Sequence, residues 1–189
     1  LSLLKNNKFH DEYSVRFGLC RLETRGPEFY LNGEKYFLRG YGDDFTFPRE
    51  LIPVAGIEYW RKYLQTRKKF GFNTVRHHSM MLPESYLAAA DEVGMLVQPE
   101  LPIAYGQFFV SATDDELNLY RSVWKNYIIQ MRNHPSVMAW SMGNEQWNGF
   151  ALGTELYRTA KELDPTRLVI DTDGTGATAN RTTLDYVSV

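Results

Sequence analysis

An apolar run, Val137 to Met142, breaks at Gly143 and delivers Asn144 and Glu145 side by side. A buried parallel strand ends this way at a barrel mouth, where active groups gather at the carboxyl ends of strands. A carboxyl group held there can act as general acid and base on a bond such as a glycosidic one. The same rule picks out groups after the other strands. Asp43 and Asp44 follow the first, in a stretch without helical periodicity that runs to about residue 57. Arg76, His77 and His78 end the second. Neighbours on a strand point to opposite faces, so Arg76 and His78 share one face and His77 takes the other, which weakens a two-histidine metal site. An inward Arg76 requires a nearby carboxylate. Glu100, next to Pro99, is either that partner or a substrate ligand. Trp140 is expected to pack as core, and Trp147 to be placed where it could line a cleft. Asp173 lies in Asp171-Thr172-Asp173-Gly174-Thr175-Gly176, a plain loop or a substrate contact; no Gly-Lys-Ser/Thr follows to make it a phosphate loop.

The elements that must position these groups follow from periodicity. Residues 13 to 38 read as strands: Tyr13 to Leu19 and Glu28 to Leu31 alternate, and Asn32-Gly33 is a hairpin turn, because both residues tolerate positive φ. Tyr36 to Leu38 then leads to Arg39-Gly40 and counts as the first parallel strand. Beyond it strand and helix alternate. Trp60, Tyr63, Leu64, Arg67 and Phe70 repeat at helical spacing over 59–70, and Gly71 stops them. Phe72 to Arg76 is a strand. Pro83 opens a helix with Tyr86, Leu87, Ala90 and Val93 inward and Gly94 beyond its end. Met95 to Gln98 is a strand. Thr113 and Glu116 form a capping box for a long helix burying Leu117, Tyr120, Trp124, Tyr127, Ile128 and Met131. After Pro135 come a strand over Val137 to Ser141, a helix over 152–163, and strands over Leu168 to Ile170 and Tyr186 to Val189. Alternation of this kind implies parallel pairing with right-handed crossovers. The expected fold is α/β, an incomplete (β/α)8 TIM barrel with about six of its eight strands.

Composition narrows the function classes. A chain of 189 residues is one domain or a piece of a larger one. A net charge of −2 gives no reason to expect nucleic acid or an acidic membrane surface as partner. No run is long enough to span a bilayer, and Leu1-Ser2-Leu3-Leu4 runs into polar residues, unlike a signal peptide. Cys20 is alone, so no internal disulfide forms, and compartment and oligomeric state stay unread. No CxxC or HExxH sequence occurs, and no metal or cofactor is expected. Aromatic content is 14%, suited to a sugar cleft, although most of these rings are expected in the core.

With these residues placed, the chain resembles glycoside hydrolase family 2, the β-galactosidase and β-glucuronidase family. Phe17-Gly18-Leu19-Cys20-Arg21 resembles the junction where a β-sandwich hands over to the barrel. Phe29-Tyr30-Leu31-Asn32-Gly33 with Leu38-Arg39-Gly40 resembles the barrel entry, Gly71 to Arg76 the second strand, and Asp91 to Val97 with Glu100 the third. Arg132-Asn133-His134-Pro135-Ser136-Val137 through Trp140 to Glu145 resembles the fourth and is the most specific. The resemblance implies that residues 1–26 end an immunoglobulin-like sandwich and 27–189 form the N-terminal part of a catalytic barrel. It implies a retaining β-glycosidase acting on terminal sugars, with Glu145 as general acid and base and Asn144 on the sugar 2-hydroxyl. The nucleophile, a second Glu at the end of the seventh strand, is then expected beyond Val189. Two departures stand out. Gly42 and Asp44 occupy places where the family often has Asn and His, and Ala104 and Gly106 replace the Glu and His that bind magnesium in the β-galactosidase branch.

Two other classes remain open. One is a carbohydrate-binding relative that no longer catalyses. The other is a doubly wound nucleotide-binding domain, against which Arg39-Gly40-Tyr41-Gly42-Asp43 lacks a third glycine and a following helix. The missing initial Met and the end inside a strand suggest excision from a longer protein. A barrel lacking strands has open sheet edges, so residues 1–189 alone are expected to be inactive, and hydrolysis by them would contradict this.

Overall fold

Short runs rich in β-branched and large apolar residues alternate with amphipathic segments, and each folds to its own period. A computed structural model of the chain describes residues 2–44, 47, 56–103, 112–145, 152–171 and 184–186. Ten strands and four helices occur among them: β1 (Ser2–Lys5), β2 (Lys8–Glu12), β3 (Leu22–Arg25), β4 (Glu28–Leu31), β5 (Glu34–Tyr36), β6 (Gly40–Asp43), α1 (Ile57–Lys69), β7 (Thr74–His77), α2 (Glu84–Val93), β8 (Leu96–Gln98), α3 (Asp114–Met131), β9 (Ala139–Ser141), α4 (Gly153–Leu163) and β10 (Leu168–Ile170).

β6, β7 and β8 pair in parallel, as do β9 and β10. Parallel bridges Val97 to Val137 and Glu100 to Ser141 join the two sets into one sequential series. The alternation of side chains then builds two layers. Val75, Val97, Trp140 and Val169 face the helices and pack against Trp60 and Leu64 of α1, Tyr86 and Leu87 of α2, Trp124 and Ile128 of α3, and Leu156 of α4. Their neighbours face the barrel axis. At its amino-terminal end Leu96, Ala139 and Leu168 cluster with Leu22, Phe29, Leu31 and Tyr36 from the antiparallel sheet β3–β4–β5. That small sheet plugs the floor, so the polar groups at the strand ends sit above a dry base.

Local signals set the helix ends. Thr113 and Glu116 form the reciprocal capping box of α3. Gly94 closes α2 in the left-handed region at φ 71°, where a Cβ would be strained. Asn32 and Gly33, at φ 52° and 89°, turn the β4–β5 hairpin.

Three expectations need correction. Residues 13–21 form no strand; they run irregularly over α2 and α3, and a Cβ on Gly18 would lie 2.4 Å from Cγ of Pro135. Tyr36 belongs to antiparallel β5, and the first parallel strand is β6, four residues later than expected. The second parallel strand likewise starts at Thr74 rather than Phe72 and takes in His77. Of the expected strand over Tyr186 to Val189, residues 187–189 lie outside the described residues. Asp185 nonetheless sits beside β10: its N–H donates to the Val169 carbonyl at 2.8 Å, and its carboxylate accepts the Val169 N–H at 2.9 Å. The hairpin β1–β2 is exposed along its whole length.

A buried polar cluster locks α4 to the strands beside it. Asp164 accepts from Trp140 Nε1 at 3.0 Å, Arg167 Nη1 at 2.5 Å and Thr166 Oγ1 at 2.9 Å. Arg167 also donates to the carbonyls of Arg132, His134 and Val137 at 2.8, 2.6 and 2.5 Å. Asp164→Ala would leave that buried guanidinium without its counter-charge. The expected loss is about 3–5 kcal/mol in urea unfolding of the full-length protein; a loss below about 1 kcal/mol would show that the cluster is not a structural lock.

Candidate active site

The polar residues of the mouth are held by strand parity. Gly42 of β6 registers with Arg76 of β7, and Arg76 with Gln98 of β8, so these positions share the axis-facing side. Two residues on from Gln98, Glu100 returns to the same side and is 0% exposed. Its Oε1 accepts from Arg76 Nη2 at 3.0 Å and from the Ser79 N–H at 2.7 Å. Its Oε2 accepts from Arg76 Nε at 3.2 Å, Arg76 Nη2 at 3.1 Å and Ser141 Oγ at 2.9 Å. Of the two roles open to Glu100, the ion pair with Arg76 is the one built here.

Arg76 reaches onward. Its Nη2 donates to Asn144 Oδ1 at 2.5 Å, and the Asn144 N–H donates to the Ile103 carbonyl at 2.8 Å. Asn144 is thus fixed by both side chain and backbone at 1% exposure. Glu145 comes next, half-buried, at φ 49°. Ser79 also has positive φ, 48°. Such backbones cost on the order of 1–3 kcal/mol in residues with a Cβ, persist where surroundings impose them, and cluster at working sites. Both follow parallel strands: the Ser79 N–H donates to Glu100, and Glu145 is the chain neighbour of Asn144, which Arg76 holds. Ser79 and Ser141 were not singled out from the sequence. Ser141 carried a signal: it is the one hydroxyl inside the apolar run that ends at Met142.

The remaining expected residues divide. His78 stands at the rim, its N–H donating to the Asp43 carbonyl at 3.1 Å and its Nδ1 at 3.9 Å from the exposed Asp44 carboxylate. Asp43, expected at the mouth, registers with His77 and turns to the helix layer, where it accepts from Tyr63 OH at 2.5 Å. The glycine at 42 explains this: the axis-facing position of β6 carries no side chain, and the acid falls on the opposite parity. Arg67 stacks over the Tyr63 ring at 3.3 Å. Burial, and then the bond to Asp43, push the Tyr63 hydroxyl well above its ordinary range. Trp140 is fully buried core, as expected. Trp147 and Asp173 lie outside the described residues. Among the described residues no group of three His, Cys, Asp or Glu side chains could hold a metal ion, and no helix is long and apolar enough to cross a membrane.

A family model described as "Glycosyl hydrolases family 2, TIM barrel domain" matches residues 22–189. The chain is 27% identical to a beta-glucuronidase of Paenibacillus borealis over 83% of its own length and 28% of the relative's. It is 30% identical to a beta-galactosidase of Thermoanaerobacter pseudethanolicus, over 88% of this chain and 22% of that one. A solved Ruminococcus gnavus beta-glucuronidase, in complex with C6-substituted uronic isofagomine, superposes with a TM-score of 0.78 at 26% identity, covering 92% of this chain and 30% of that one. The chain spans less than a third of the length of these relatives.

His77 supplies a pH test of strand parity. It is fully buried, its Nε2 2.8 Å from Tyr86 OH, and burial pushes its pKa from 6.5 down to about 3. The neutral ring is therefore favoured in the folded state. Its contribution to stability is complete above pH 6.5 and is lost as pH falls from there toward about 3. Urea midpoints of the full-length protein at pH 7 and pH 4 are expected to differ more for wild type than for His77→Gln. Equal differences would mean that His77 does not resist protonation.

Proposed function

The chain belongs to glycosyl hydrolases family 2, and from that premise we propose that it forms most of the catalytic barrel of a retaining β-glycosidase that removes terminal β-linked sugars. The observation that carries the proposal is the end of the fourth parallel strand. There Asn144 is pinned by Arg76, and Glu145 follows at positive φ with its side chain only half-buried. Glu145 is assigned to proton transfer. Its carboxylic acid gives a proton to the departing glycosidic oxygen, and the resulting carboxylate takes one from the water that completes the reaction. In a retaining reaction a second carboxylate lies about 5–5.5 Å away and attacks the anomeric carbon. That nucleophile is expected as a Glu beyond Val189, at the end of the seventh strand. Asn144 is assigned to the sugar 2-hydroxyl, whose hydrogen bonds strengthen in the transition state.

Arg76 supports the pair from below, with its charge matched by Glu100. His78 and Asp44 belong to the rim of the cleft, and Trp147 and Asp173 are assigned to further substrate contacts. Residues 1–26 are assigned to the end of a preceding β-sandwich and its junction. The substrate is a carbohydrate, and relatives named for glucuronides and for galactosides both fit that class.

Glu145→Gln in the full-length protein tests the assignment on a panel of aryl β-glycosides. On substrates with poor leaving groups, which depend on protonation, kcat/KM is expected to fall on the order of 100-fold or more. Activated leaving groups should suffer much less in the first step. Normal turnover of an unactivated glycoside by the variant would sink the proposal. A wild-type protein that binds sugars but hydrolyses none would support a non-catalytic relative.

A further inference from the structure

We propose that Glu100 is a positioning residue, whose carboxylate holds Arg76 in the one orientation that fixes the Asn144 amide for the substrate. The inference rests on the reading of Asn144 and Glu145 above and adds a group that touches no substrate.

Both carboxylate oxygens of Glu100 accept hydrogen bonds. Among the described residues, the polar groups that face its carboxylate include Arg76 Nε and Nη2, the Ser79 N–H and Ser141 Oγ. They come from β7, from the turn after it and from β9, so one carboxylate ties the ends of three adjacent strands. Backbone bonds repeat the pattern. The Glu100 N–H donates to the Met80 carbonyl at 3.4 Å, the Leu101 N–H to Ser141 at 3.0 Å, and the Ser141 N–H to Pro99 at 3.1 Å. A strap of this density, at 0% exposure, leaves the carboxylate with one placement.

Arg76 transmits that placement. Its guanidinium is planar, so bonds from Nε and Nη2 to Glu100 fix its rotation about the side-chain axis. The same Nη2 then donates to Asn144 Oδ1. A guanidinium only donates, so this bond also decides which end of the amide is oxygen. Asn144 therefore carries its Nδ2–H2 group as the end not turned to Arg76, in an orientation set from below. For a sugar, this makes Asn144 a donor to the oxygen at C2. Arg76 is 24% exposed at the side chain while Glu100 is sealed, which places Glu100 behind Arg76 as seen from the cleft. Removal of Glu100 would free the guanidinium to turn toward the mouth and release the amide.

The consequence is selective. A loosened Asn144 weakens only the part of catalysis that runs through the 2-hydroxyl, and displacements of about 1 Å at such contacts lower rates by up to roughly 100-fold. The test uses the full-length enzyme and paired aryl β-glycosides with and without the 2-hydroxyl, in galacto and glucurono series. The quantity read is the ratio of kcat/KM between the members of each pair. Glu100→Gln is expected to shrink that ratio on the order of tenfold, mostly through kcat, and Ser141→Ala about threefold. Asn144→Ala, the reference, should shrink it most. Equal losses on both substrates in Glu100→Gln and Ser141→Ala would overturn the proposal and leave Glu100 a structural residue. If Glu100→Gln does not fold, Ser141→Ala decides by the same ratio. An unchanged ratio in Asn144→Ala would instead overturn the reading of Asn144 on which this rests.

Discussion

The mouth of the barrel depends on the burial of one charge pair. Arg76 points to the axis because strand parity puts it there, and a guanidinium in that position is tolerable only with a carboxylate in contact. Glu100 meets the requirement from the next strand, and its remaining lone pairs draw in Ser79 and Ser141. The strand ends cannot then slide past one another without stranding a buried charge. The pair thus converts an electrostatic demand into a geometric one. Asn144 and Glu145 inherit that geometry as the next polar residues on the chain.

Beneath this layer the barrel is apolar. Leu96, Ala139 and Leu168 meet the plug formed by β3, β4 and β5, and the helix-facing residues pack on three buried tryptophans, Trp60, Trp124 and Trp140. A low-dielectric base strengthens every charge interaction above it. The second polar cluster, around Asp164 and Arg167, lies on the helix side and serves anchorage: its bonds run to carbonyls at the end of α3 and the approach to β9. One cluster therefore orients and the other fastens, although both are built from an Arg and a carboxylate.

Much of this was legible from local patterns. The hairpin turn at Asn32-Gly33, the capping box at Thr113 and Glu116, and the strand over Leu168–Ile170 depend on neighbours in sequence, and each formed as the pattern required. The misses share a cause. Tyr13 to Leu19 alternates as a strand does, but alternation makes a strand only where a partner edge is available, and among the described residues none pairs with it. Gly40-Tyr41-Gly42-Asp43 has the composition of a loop, with two glycines and an acid, yet pairs with β7 along its whole length. Its glycines sit on the axis-facing side, where a Cβ at Gly42 would meet nothing within 4 Å among the described residues, and no periodicity rule anticipates a strand whose inner face is bare.

The sequence by itself determined the order of helices and strands from α1 to β10, the family, and the apolar strand that delivers Asn144 and Glu145, because each is written in residues a few positions apart. It also required that Arg76 have an acidic partner, since no buried guanidinium is stable alone. Only the tertiary structure decided that Glu100 is built into the ion pair with Arg76, and that Asp43 turns away from the axis. That choice turns on registration across parallel strands, where a one-residue difference in parity moves a carboxylate from the axis to the helix layer. Such registration is set by contacts between residues dozens of positions apart, and no local pattern encodes it.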